Sequence, residues 1–151
     1  MKEILFKTAN PRAEEREIKN LEDRFRFQMP QDMKRFYLEH NGGILPYETR
    51  IDPESCRLRA FRPISRRYQE HFHTIDELLT WQEMDKFIPM YYIPFCSDEA
   101  GDCYYIRVDE GGYGRVYYIF SEFLDDFLEN PEENGFIAGS FSAFLEQIEF
   151  S

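Results

Sequence analysis

The chain has 151 residues, 18 of them basic and 29 acidic, which gives a formal net charge of −11. That length fits one domain with a core that needs no disulfide or metal staple, and 42% hydrophobic with 17% aromatic residues excludes a disordered chain. The charge argues against nucleic acid and against anionic membrane surfaces as partners, because both are bound through clustered Lys and Arg.

Residues 13–27 are charged but place Ile18, Leu21 and Phe25 three and four apart, which predicts a helix with Glu14, Glu15 and Glu17 at its dipole-favoured start. A second helix is predicted from Pro30, where the missing N–H costs little. Its apolar positions are Met33, Phe36 and Tyr37, and it is expected to stop at Asn41, Gly42 and Gly43. Residues 54–64 alternate loosely and read as a strand that Pro63 either ends or confines to an edge. Thr74 and Glu77 have the spacing of a capping box, opening a helix that should use Leu78, Leu79 and Met84, with Trp81 partly buried.

Residues 90–95 form a short apolar run interrupted by Pro94. Residues 103–108 and 116–120 are rich in Tyr, Ile and Val and flank a glycine-containing turn, which reads as a hairpin. Both faces of these segments are apolar, so the sheet should have helices on one face and partial cover on the other. Residues 130–135 read as a polar loop within a long connection from 122 to 136. Ser140 then caps a last helix whose stripe is Phe141, Phe144, Leu145 and Ile148. The expectation is one α+β domain over 1–151, with its core at about 14–149 and a mostly antiparallel, curved sheet packed by N-terminal, middle and C-terminal helices.

Neither a signal-peptide run nor a stretch of roughly 20 apolar residues is present, and Cys56, Cys96 and Cys103 are an odd set without CxxC spacing. A reducing cytoplasm is expected, without disulfides or a zinc site. The chemical candidates are weak. His71 and His73 lack a third ligand for a metal. Asp98, Asp102 and Asp109 do not follow a calcium loop, since Cys103 stands where its glycine belongs. Asp98 and Asp102 read as turn residues before an acid/base pair. Cys96 has no nearby histidine to activate it. Gly111, Gly112 and Gly114 lack the lysine of a phosphate loop. Arg57, Arg59, Arg62, Arg66 and Arg67 form a cluster without the stacking pattern of a nucleic-acid site.

Short patterns then occur in a fixed order: Met29-Pro30-Gln31-Asp32 through Phe36-Tyr37 to Asn41-Gly42-Gly43, Ile93-Pro94-Phe95-Cys96-Ser97-Asp98 before Gly101-Asp102-Cys103-Tyr104-Tyr105, and Ile137-Ala138-Gly139-Ser140-Phe141. In this order the chain resembles the SUKH superfamily, with Met29 in place of the usual leucine. The resemblance implies structural roles for the matched residues Pro30, Asn41, Gly42, Gly43, Pro94, Phe95, Gly101, Ser140 and Phe141. It implies no catalytic residue, metal or cofactor. For bacterial members it implies an immunity protein that binds and neutralises a toxin, frequently a nuclease; for the yeast relative, a regulatory scaffold of cell-wall glucan synthesis. An enzyme acting on a small substrate or glycan is a lesser alternative.

Charge supplies candidate contacts. Residues 1–70 hold 15 basic against 12 acidic side chains, a net of +3, whereas residues 71–151 hold only Lys86, Arg107 and Arg115 against 17 carboxylates, a net of −14. An acidic surface would be steered to a basic partner such as a nuclease cleft, and tyrosines would anchor it. The candidates are Asp98, Glu99 and Asp102; Asp109 and Glu110; Asp125, Asp126, Glu129, Glu132 and Glu133; and Tyr105, Tyr113 and Tyr117.

Overall fold

A computed structural model describes residues 1–150. Seven strands form one open sheet in chain order, each antiparallel to the next: β1 (Thr8–Ala9), β2 (Gly43–Ile44), β3 (Leu58–Phe61), β4 (Tyr92–Asp98), β5 (Cys103–Arg107), β6 (Val116–Ile119) and β7 (Phe136–Ala138). The helices are α1 (Glu15–Phe25), α2 (Gln31–Glu39), α3 (Ile75–Asp85), α4 (Leu124–Glu129), α5 (Pro131–Asn134) and α6 (Phe141–Glu146), with a 3-10 turn at Ser121–Phe123. The α+β class, the curved antiparallel sheet and the helices at both ends and in the middle are as expected.

The helices form where their caps and stripes direct them. In α1, Ile18 and Leu21 are buried, and the helix ends where Arg26 adopts the left-handed conformation at φ 59°. Thr74 and Glu77 close the capping box of α3: the Glu77 amide donates to Thr74 Oγ1 at 3.0 Å and the Thr74 amide donates to Glu77 Oε1 at 3.1 Å. Ser140 caps α6 by accepting from the Ala143 amide at 3.0 Å. The expected stripe of α3 is shifted, however. Ile75, Leu79 and Gln82 are the buried positions, while Met84 is 74% exposed, because the buried face follows Gln82, whose amide donates to the carbonyls of Pro89 and Tyr92.

The paired glycines do not stop α2. The helix ends at Glu39 with His40 already extended, before either glycine is reached. Gly42 and Gly43 instead let β2 pass between its neighbours. Both have positive φ, and a Cβ would lie 2.3 Å from the Phe61 carbonyl oxygen at Gly42 and 2.5 Å from the Thr8 carbonyl oxygen at Gly43. Asn41 is buried and fastens this crossing, accepting from the Ile64 amide at 2.8 Å through its side chain and from Asn10 through its carbonyl. The two-residue strands β1 and β2 had no alternation long enough to read.

Strand alternation divides the apolar residues between two faces. Ile93, Phe95, Tyr104, Ile106 and Val116 join the inner core with the stripes of α1, α2 and α6. Phe36 and Phe61 lie 4.8 Å apart there, and Phe95 and Phe141 5.3 Å. A β-bulge beside Pro94 absorbs the missing N–H, which is how proline sits in an interior strand. Tyr92, Tyr117 and Ile119 point to the outer face, where Phe127 of α4 seals them. The connection from 122 to 136 is thus not a loop: it is largely helical, and it delivers β7, which sequence reading missed.

Candidate partner-binding surface

The predicted contact residues fall in three places. The first is the turn between β4 and β5. Asp98 is only 2% exposed and faces inward, where Oδ1 accepts from the amides of Ala100 and Asp102, each at 3.0 Å, and Oδ2 from the Tyr118 hydroxyl at 2.6 Å. It is therefore a clamp of the turn and not a surface contact, the last residue of a strand that is buried throughout. Glu99 is exposed but paired with Arg57, accepting from Nε at 2.8 Å. Asp102 receives the Ser121 amide at 3.2 Å, and Gly101 supplies the positive φ of the turn.

The second place is the turn between β5 and β6, at the opposite end of β5. Five residues of antiparallel strand span about 17 Å, so the two turns do not form one patch. Asp109 is held by Arg107 through Nε at 2.6 Å, and that guanidinium keeps its carboxyl below the usual range. Glu110 is exposed. Tyr113 is half exposed but its hydroxyl donates to the Gln28 carbonyl at 2.8 Å, tying the turn to the α1–α2 connection. Tyr105 is partly exposed on the outer face, and burial is the main cause of its raised pKa.

The third place is the ridge made by the 3-10 turn, α4 and α5. It begins beside Asp102 and ends where Glu132 meets Arg115 at 2.6 Å and accepts the Tyr117 hydroxyl at 2.6 Å. The ridge therefore crosses the outer face from one turn toward the other. Tyr117 lies beneath it, fully buried, and cannot anchor a partner, because the strand alternation sends it under Phe127. Glu133 bonds with Asn130, whose side chain caps α5. Asp125, Asp126 and Glu129 are exposed, and their carboxylates have no hydrogen-bond or ion-pair partner among the described residues. Glu122 is in the same state and was missed, as were Phe123 at 56% exposure, Phe120 and Leu128. No periodicity signals their exposure: the three-and-four spacing of Leu124, Phe127 and Leu128 would put Leu128 on the buried side, whereas only Phe127 is buried in α4.

None of the weak chemical candidates gathers into a site among the described residues. His73 Nδ1 lies 3.0 Å from the Arg67 guanidinium, a poor neighbour for a metal ion, and among the described residues no group of three His, Cys, Asp or Glu is placed to hold one. Cys56 is exposed, while Cys96 and Cys103 are buried, and burial pushes the Cys103 thiol up to about 11, away from thiolate chemistry. The arginine cluster is dispersed: Arg57 pairs with Glu99, Arg67 with Glu77, and Arg59 lies over the Phe72 ring. Among the described residues no helix is long and apolar enough to cross a membrane.

The inner core, the Asn41 crossing, the Asp98 turn and the Ser140 cap coincide with the ordered patterns of the sequence. The SMI1 / KNR4 family (SUKH-1) matches residues 12–147, and the chain belongs to that family. No curated protein matches it.

Proposed function

From membership of this family we propose that the protein is a non-catalytic binding protein of the immunity type, acting in the cytoplasm by occluding a basic toxin domain. The observation that carries this reading is the ridge: Glu122, Asp125, Asp126 and Glu129 are exposed carboxylates without partners among the described residues, interleaved with exposed Phe120, Phe123 and Leu128. Carboxylates on such a ridge speed encounter with a cationic cleft, and the apolar side chains supply the desolvated contacts that slow its release. Glu99, Asp109 and Glu132 contribute less, because each is already matched by an arginine.

The test is co-purification with the product of the neighbouring reading frame at low and at physiological salt. A complex that weakens with salt, and weakens further when Asp125 and Asp126 are both replaced by Lys, supports the reading. No complex at low salt, or one indifferent to both changes, removes it. An envelope defect on deletion, in cultures without a rival strain, would favour the cell-wall regulatory role instead.

A further inference from the structure

The residual positive charge of the first half has its own place in the fold. A groove of about 460 Å³ runs along β2 and β3. These strands are separated from β6, under the ridge, by β4 and β5, so at ~4.8 Å per strand the groove lies about 14 Å or more from the strand that the ridge covers. Its walls carry Lys7, Arg57 and Arg59 beside the rings of Tyr47 and Phe72, with Ile44 among the apolar residues between them. Arg57 lies 3.8 Å from the Tyr47 ring centroid and Arg59 5.1 Å from that of Phe72. Tyr47 is 68% exposed despite that contact.

The groove already contains one example of what it accepts. Glu99 reaches in from the β4–β5 turn and takes both Nε and the terminal nitrogen of Arg57 on its carboxylate. Arg59 and Lys7 have no such counterpart: among the described residues neither side chain makes an ion pair or a hydrogen bond. An apolar strip flanked by two unmatched cations, in a chain of net charge −11, is a local inversion of the molecule's own field.

We infer that this groove binds an acidic peptide segment, with carboxylates on Arg59 and Lys7 and one apolar or aromatic side chain over Ile44. A peptide suits the groove better than a single-stranded nucleic acid. Bases bind such proteins by stacking on open aromatic faces, whereas here one face of each ring is taken by a guanidinium of the protein itself. Carboxylates need only the outward edges of those guanidinium groups and the Lys7 ammonium. The site is independent of the ridge and of any toxin.

The experiment is fluorescence polarisation with a labelled synthetic peptide in which aspartates flank one phenylalanine, and its asparagine counterpart as control. Saturable binding of the aspartate peptide is expected, weakened about tenfold or more by Arg59→Glu, which removes one charge-assisted contact and sets a like charge against the peptide. Lys7→Glu, at an exposed position before β1, should give a similar loss and serves as the check should the β3 variant fold poorly. Equal binding of the asparagine peptide, absence of saturation at low salt, or tighter binding of an oligothymidylate than of the aspartate peptide would each overturn the inference.

Discussion

The β4–β5 turn and the α4–α5 ridge are both acidic, both beside tyrosines and both in the half of the chain with net charge −14, yet their carboxylates do opposite things. In the turn, Asp98 organises backbone: it is buried, and two amides and the Tyr118 hydroxyl converge on it. On the ridge, Asp125, Asp126 and Glu129 face outward with no partner among the described residues. The difference teaches that charge density along a sequence locates acid but not availability. Availability depends on whether nearby donors converge on the carboxylate, and donors converge where a strand ends inside a core.

That contrast can be broken or sharpened by substitution. The largest effect is expected for Asp98→Ala, which leaves the Tyr118 hydroxyl and two turn amides without their acceptor and should lower stability by about 2–3 kcal/mol, read from urea unfolding. Tyr118→Phe removes one donor and leaves the carboxylate its two amides, so a loss of about 1 kcal/mol is expected in the same assay. Glu132, at the ridge's far end, tests the intermediate case. The Tyr117 hydroxyl, then Arg115, hold its pKa below the ordinary 4.5. Its contribution is therefore present above that pH and is lost as pH falls through the lower folded-state value. Glu132→Gln should be less stable than the parent at pH 7, with the gap narrowing below about pH 4.5. The smallest effect is expected for Asp125→Asn with Asp126→Asn, within about 0.5 kcal/mol. A large loss there would place these carboxylates with Asp98 and dissolve the distinction.

Much of the fold was legible because periodicity and caps act locally. Thr74 and Glu77, Ser140 with its stripe, and the Tyr-rich hairpin each declare an element without reference to the rest of the chain. What escaped depended on distant parts. β1 and β2 exist only because Gly42 and Gly43 allow the backbones to approach, and in sequence the nearness of these glycines to α2 points to a helix stop. Spacing alone puts Met84 on a buried stripe, because nothing in its own helix says that Gln82 binds two carbonyls beyond it. The surface was less legible than the fold. Composition places Asp98 and Tyr117 with exposed acidic and aromatic residues although both are buried, and it gives no sign that Phe120, Phe123 and Leu128 face outward, since apolar side chains ordinarily go inward.

The chain-order sheet also has a bearing on how the protein is made. Every strand pairs with the one that left the ribosome just before it, so the sheet can assemble in step with synthesis. The inner core cannot. Phe141, Phe144, Leu145 and Ile148 emerge after every strand they cover. Until they arrive the nascent sheet has Phe95 and Tyr104 without the α6 rings that cover them, an interval in which a chaperone has apolar surface to hold and after which α6 removes it.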